Sequence, residues 1–205
     1  MARYTNAKCK LCRREGIKLF LKGERCLSPR CPLEKKGAVP PGQQSQRRKR
    51  GLSEYGLQLR EKQKLRRLYG LQEKQFINYY QKAARKRNKG AALLALLEMR
   101  LDNVVHRLGF ALSRVQARQL VNHSHVLVNN KKVNIPSFQV KKDDLISLTP
   151  KSLSFDFVKK ALKEKVTLPK WLQKKGPIGK VSALPQREDC PADINEQLVI
   201  EYYSR

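Results

Sequence analysis

Four cysteines fall within residues 9–31, "CKLCRREGIKLFLKGERCLSPRC", at the spacing Cys9-x2-Cys12-x13-Cys26-x4-Cys31. A tetrahedral metal knuckle takes two thiolates from one short turn and two from another, and these intervals suit that use. The chain between the pairs must turn back on itself. Gly16 and Gly23 permit the reversals, and Ile17, Leu19, Phe20 and Leu21 offer a small apolar cap. Lysines and arginines packed around the cysteines lower thiolate pKa values, which favours deprotonated ligands near neutral pH. The expectation is one structural zinc ion on Cys9, Cys12, Cys26 and Cys31, closed to catalysis because four protein ligands leave no open position. An iron–sulfur cluster and a redox pair are the alternatives. Disulfides need an oxidising compartment, and "MARYTNAKCK" lacks the apolar core of a secretory signal, so a reducing cytosol is expected. Cys190, in "EDCPAD", stands apart as an incidental thiol.

Charge narrows the choice of partner. The 205 residues carry 45 Lys and Arg against 17 Asp and Glu, a formal net charge of +28. Self-repulsion on that scale works against a compact free monomer, and a polyanionic partner is the simplest reason to carry it. The excess is uneven: residues 1–90 hold 26 basic and 6 acidic side chains, residues 91–205 hold 19 and 11. No apolar run approaches the ~18 residues that a spanning helix needs. The charge is spread over several segments rather than concentrated in one amphipathic helix, which disfavours a membrane surface. Nucleic acid is the favoured partner.

Along the chain, "GAVPPGQQSQRRKRG" (37–51) reads as a linker whose basic run, Arg47, Arg48, Lys49 and Arg50, suits phosphate contact. "SEYGLQLREKQKLRRLYG" turns helical, with Leu57, Leu65 and Leu68 near whole turns and Lys62, Lys64, Arg66 and Arg67 elsewhere on the surface. Gly70 ends it. "LQEKQFINYYQKAARKRNKG" resumes with Phe76, Tyr79, Tyr80 and Ala83 towards a core and Lys82, Arg85, Lys86 and Arg87 beyond. Its tyrosines either stack on unpaired bases or pack helix on helix. "GAALLALLEMRLDNVVHRLGF" (90–110) reads as the strongest helix, stopped by Gly109, with Arg100, Asn103 and Arg107 sharing a face away from the apolar stripe.

"SRVQARQLVNHS" restarts a helix with Ser113 and Gln116 as a capping box and Arg114 and Arg118 one turn apart. "HVLVNNKKVNI" reads as two strands joined at Asn129-Asn130, and Val140 and Leu145–Leu148 supply further strand. Beyond residue 155, "FDFVKKALKEKV" looks helical, "PKWLQKKGPIGK" loop-like and "EQLVIEYYSR" like a closing strand.

The stretch "RLDNVVHRLGFALSRVQARQLVNHSHVLVNNKKVNIPSFQVKKDDLI" closely resembles the RNA-binding domain of the S-four family of small-ribosomal-subunit proteins. "YGLQLREKQKLRRLYGLQEKQFINYYQKAARK", "RE" at 187–188 and "INEQLVIEYYSR" are similar to other parts of that family, and "MARY" with the cysteine knuckle resembles its zinc-bearing bacterial form. The resemblance implies an α+β, mostly helical chain. Its expected parts are a zinc-knuckle segment (1–45), a basic helical domain (46–94), and an inserted S-four domain of helix-turn-helix plus small antiparallel sheet (95–158). A C-terminal segment (159–205) then packs back on the helical domain.

It also implies direct binding to small-subunit ribosomal RNA, nucleation of the subunit body and a part in translational accuracy. Ribosomal protein five would be a neighbour, and messenger RNA near the entry channel would meet Arg47–Arg50. Carried over by position, Arg100, Asn103, Arg107, Arg114, Arg118, Gln119, His123, Ser124 and His125 form the expected RNA face. Asn130 stands where a glycine is usual and His106 where an aromatic is usual; Lys174 and Lys175 lie in a tail that departs from the common pattern.

Other classes are weaker. His123 and His125 lack a third nearby ligand for a metal, and Asp143-Asp144 beside Lys141 and Lys142 fits turn chemistry better than a catalytic pair. No phosphate loop or nucleophile constellation appears, so no enzymatic turnover is expected. An RNA-modifying enzyme carrying an S-four domain would need a separate catalytic domain; a regulatory RNA-binding protein with an S-four domain outside the ribosome is the other alternative. A zinc-finger DNA regulator would place a recognition helix after its ligands, where "PLEKKGAVPPG" stands instead.

Overall fold

The computed structural model describes residues 4–42, 51–164, 166–191 and 193–204. The basic run Arg47, Arg48, Lys49 and Arg50 lies outside the described residues. Two compact units form: residues 1–90 together with 192–205, and residues 91–191.

The first unit is helical. α1 (Cys9–Glu15) stops at Gly16, whose φ of 76° needs no Cβ, and a 3-10 turn over Gly23–Cys26 leads to α2 (Pro32–Lys36). α3 (Glu54–Leu68) starts where the Ser53 hydroxyl accepts the Gly56 N–H at 3.2 Å. It ends in a Schellman motif, Gly70 N–H to the Arg67 carbonyl and Leu71 N–H to the Arg66 carbonyl. α4 (Glu73–Ala84) follows. Leu65 and Leu68 are buried as their spacing predicts, but Leu57 is 49% exposed, because the inner face of α3 runs through Gln58 and Lys62.

What covers that face is α10 (Glu196–Tyr203), and it corrects the closing strand expected there. The Asn195 side chain caps it by accepting from the Gln197 and Leu198 N–H groups. Tyr202 meets Tyr55 with ring centroids 5.7 Å apart, and Tyr203 meets Tyr80 at 4.6 Å and Phe76 at 6.1 Å. The β-branched and aromatic residues of "LVIEYY" suggested strand, but packing against α3 decides the outcome.

The second unit opens with α5 (Lys89–Glu98) and α6 (Leu101–Arg107), which corrects the single helix expected over 90–110. Arg100 is extended (φ −70°, ψ 137°) and bridges Gln139, while Leu101 N–H donates to the Phe138 carbonyl and Val140 N–H to the Met99 carbonyl. The backbone bonds of a continuous helix are here exchanged for pairing with residues 138–140. Val140 is correspondingly outside any strand. α6 closes in a second Schellman motif at Gly109, φ +66°, and α7 (Arg114–Asn122) follows.

Five antiparallel strands then pair in the order β2-β1-β3-β5-β4: β1 (Val126–Val128), β2 (Lys131–Lys132), β3 (Leu145–Leu148), β4 (Leu172–Lys175) and β5 (Ile178–Val181). Asn129 and Asn130, at φ +49° and +64°, make the primed turn between β1 and β2. Asp144 acts in turn geometry as expected, accepting the Lys141 N–H at 2.7 Å. The hairpin β4–β5 corrects the loop expected at "PKWLQKKGPIGK", Gly176 at φ +59° turning the chain. Its pairing with β3 places residues 159–191 with the S-four-like sheet; only the last residues join α3, so the boundary expected at 158/159 does not hold. Between the strands come α8 (Pro150–Leu153) and α9 (Asp156–Lys163), whose Val158 joins the core that holds Trp171, Leu108 and Ile146. Among the described residues no helix is long and apolar enough to cross a membrane.

Candidate nucleic-acid interface

Cys12, Cys26 and Cys31 are buried, Cys9 is half-buried, and all carry free thiols. Burial first, and then Cys26, Cys9 and Cys31, push the Cys12 thiol above its ordinary value, against a lowering backbone hydrogen bond at Leu19. This corrects the expectation that neighbouring cations depress it. Arg13 is spent elsewhere, its Nε donating to the Val39 carbonyl at 2.8 Å. Among the described residues no three His, Cys, Asp or Glu side chains are drawn together tightly enough to hold a metal ion. The donor set still has the chemistry of a zinc site: four soft sulfurs within electrostatic reach, one of them, Cys26 Sγ, accepting the Lys22 N–H at 3.3 Å.

The basic residues of the first unit divide into interior and surface groups. Lys62 is only 3% exposed; it pairs with Glu73 at 2.7 Å and lies 4.7 Å from the centre of the Tyr202 ring, which removes it from the expected RNA contacts. Arg66 also reaches Glu73, and Arg67 pairs with Glu15, a carboxylate whose side chain is 3% exposed. Burial would raise the Glu73 carboxyl, but hydrogen bonds from Lys62 and Tyr203 bring it below its usual value. Tyr79 is buried and Tyr80 stacks on Tyr203, so helix packing accounts for both. Lys82, Arg85, Lys86 and Arg87, by contrast, are exposed around the end of α4.

In the second unit the expected RNA face is largely an internal network. Arg100 is fully buried and grips Asp102 with both prongs, Nε to Oδ1 at 3.0 Å and Nη2 to Oδ2 at 2.6 Å. Arg118, 6% exposed, reaches the same carboxylate at 3.3 Å. Asn103, 1% exposed, donates to the Glu98 carboxylate at 2.6 Å, and Arg107 forks onto Glu98 at 3.0 and 2.7 Å. Arg114 Nε donates to Asn103 Oδ1 at 2.8 Å. The shared outward face predicted for Arg100, Asn103 and Arg107 is therefore corrected: the chain breaks at Arg100, and only Arg107 and Arg114 keep partial exposure. Three of these guanidinium groups pair with two carboxylates and the fourth, Arg114, with the Asn103 amide, so the cluster keeps a surplus of positive charge that a phosphate neutralises well.

Gln119, His123, Ser124 and His125 do come together. α7 ends in a third Schellman motif, Ser124 N–H to the Val121 carbonyl and His125 N–H to the Leu120 carbonyl, with Ser124 at φ +59° where the other two motifs use glycine. The Ser113 hydroxyl accepts the Gln116 N–H at 3.3 Å; the Gln116 side chain answers one residue early, accepting from Leu112 rather than from Ser113. A cleft of about 340 Å³ opens between the end of α7 and the start of α9, lined by Gln116, Gln119, Leu120, His123, His125, Phe155 and Phe157. Phe155 meets His125 edge-on at 5.0 Å and stacks on Phe157 at 5.6 Å. Burial first, then His123 and Lys151, lower the His125 pKa below its ordinary value. The sequence reading missed Phe155, Phe157 and Gln116; the alternation "FDF" before an amphipathic helix was the available signal.

Residues 3–98 match the family described as ribosomal protein S4/S9 N-terminal domain, and residues 99–146 match the S4 domain. The chain is 53% identical over 208 residues to small ribosomal subunit protein uS4A of Clostridium botulinum, with 100% of each chain covered. It is 52% identical over 210 residues to uS4 of Clostridium tetani and 51% identical over 211 residues to uS4 of Thermus thermophilus, again with 100% of each chain covered.

Proposed function

Because the chain belongs to the ribosomal protein uS4 family, and is thereby a structural constituent of the small ribosomal subunit, we propose that it binds small-subunit ribosomal RNA directly and nucleates the subunit body. The observation that carries this reading is the arginine cluster at α6 and α7, in which Arg107 and Arg114 keep partial exposure beside a buried network that pairs Arg100 and Arg118 with Asp102. Rigid cations facing a folded polyanion lose little side-chain freedom on binding. The exposed Lys82, Arg85, Lys86 and Arg87 extend the contact, and Arg47, Arg48, Lys49 and Arg50 meet further phosphates, those of messenger RNA near its entry channel included. Gln119, His123, Ser124 and His125 add polar contacts, and Arg66 and Arg67 orient the helices that carry the rest. Ribosomal protein five is the proposed protein neighbour and accuracy of translation the shared effect. The role is binding, without turnover.

Cys9, Cys12, Cys26 and Cys31 would hold one zinc ion, which supplies a structural crosslink within the first forty residues. The two short-spaced cysteine pairs, and the nearness of the other three sulfurs to Cys12, support the assignment.

Binding of the full-length protein to a small-subunit ribosomal RNA transcript, with duplex DNA as competitor, tests the proposal. Affinity should fall steeply with salt, the slope growing by about 0.7–0.9 for each phosphate contacted. Reversing Lys82, Arg85 and Arg87 to Glu should weaken RNA binding at least ten-fold and flatten that slope. Equal affinity for duplex DNA, or an unchanged slope, contradicts it.

A further inference from the structure

We propose that the cleft between α7 and α9 receives a single unstacked nucleobase of the bound RNA, an inference that rests on the RNA-binding reading above. Its shape and chemistry agree. A nucleobase presents two apolar faces and a polar edge, and the cleft offers the same pair of surfaces in complement. Phe155 and Phe157 supply aromatic surface, and the amides of Gln116 and Gln119 supply donors and acceptors for an edge. No acidic side chain lines it. The Gln116 carbonyl is already held by the Leu112 N–H at 3.1 Å, which leaves its NH₂ end to face a ligand in a fixed direction.

The volume of about 340 Å³ is at the lower end for ligand sites, room for one base and its sugar and too little for a paired duplex. The walls are fixed. The His125 carbonyl accepts from Thr149 N–H at 3.0 Å and from the Ser152 hydroxyl at 3.4 Å, and its ring is braced edge-on by Phe155. Ser124 meanwhile holds a left-handed conformation that only glycine adopts freely, a cost retained where it aims His123 and His125 at the opening.

The test uses the full-length protein and a small-subunit ribosomal RNA transcript. Wild type, Gln119→Ala and Phe157→Leu are compared for affinity across a salt series, with base-reactive chemical footprinting of each complex. Gln119 is exposed, so its truncation leaves the fold intact; thermal melts confirm this for both variants. The expected result is a loss of roughly ten-fold for Phe157→Leu, the scale of one base–aromatic stack, with an unchanged salt slope. The same one or two nucleotides should change reactivity in both variants. Wild-type affinity and footprint in both variants overturn the cleft assignment while leaving the RNA reading standing. Failure of the wild-type protein itself to bind the transcript overturns that earlier reading instead. A third arm adds adenosine and uridine monophosphates: saturation at micromolar concentration, undisturbed by the transcript, would assign the cleft to free nucleotide and refute the proposal.

Discussion

His106 shows what burial does to one side chain. It occupies a position where an aromatic residue was the family expectation, and its Nδ1 is buried with no hydrogen-bond partner. Burial above all, with Arg114 and Arg107 adding to it and Glu98 opposing, lowers its pKa to about 3. Folded, the ring therefore stays neutral down to that pH, whereas in the unfolded chain it binds a proton near the ordinary histidine value of 6.5. Between those two values the unfolded state holds more protons, so stability falls as pH falls, by up to about 1.4 kcal/mol per unit. Urea unfolding of His106→Phe between pH 7 and 4 should show a shallower decline than the parent. Equal slopes would mean that the ring titrates normally. Arg118 gives a related lesson: its place on α7 marked it as a surface contact, but Asp102 holds it inside. The sequence shows a helical face; it does not show which neighbouring carboxylate will claim an arginine.

Among elements, the helices were legible where apolar residues recur every three or four positions and where glycine marks the stop, as at Gly70 and Gly109. Legibility failed where partners distant in sequence decide. The break at Arg100 needs residues 138–140, the hairpin β4–β5 needs β3, and α10 needs α3. The candidate site divides in the same way: Gln119, His123 and His125 came from the resemblance to the S-four family, whereas Phe155 and Phe157 join them only through the fold. Gly179 offers the sharpest test of the hairpin. A Cβ there would lie 2.5 Å from Leu108 Cδ1 and 2.6 Å from Cδ2, at a side chain that is itself fully buried. Gly179→Ala should destabilise the second unit by about 1–3 kcal/mol through overpacking. Adding Leu108→Val should recover part of the loss relative to the two single changes summed, which a double-mutant cycle of thermal unfolding measures. Strict additivity would show that the two residues do not touch.

For the molecule as a whole, the proposed metal and the two units make a separable prediction. Chelation, or Cys9→Ser with Cys12→Ser, should raise amide exchange across residues 9–40 and leave exchange in residues 91–191 unchanged. Metal content measured on the purified protein should drop from one ion per chain to none. Uniform loss of protection along the chain would tie the cysteines to the global fold instead. Net charge fixes the partner class at this scale and says little about topology, which is why the sequence reading identified a polyanion more readily than the sheet order.

The first unit draws α3 from early in the chain and α10 from its far end, with the whole second unit encoded between them. During synthesis α3 therefore waits, its Gln58 and Lys62 uncovered, while the second unit, residues 91–191, emerges and settles into its own sheet. The helical unit is completed only when α10 follows the second unit, so in a nascent chain one unit closes while the other is still open.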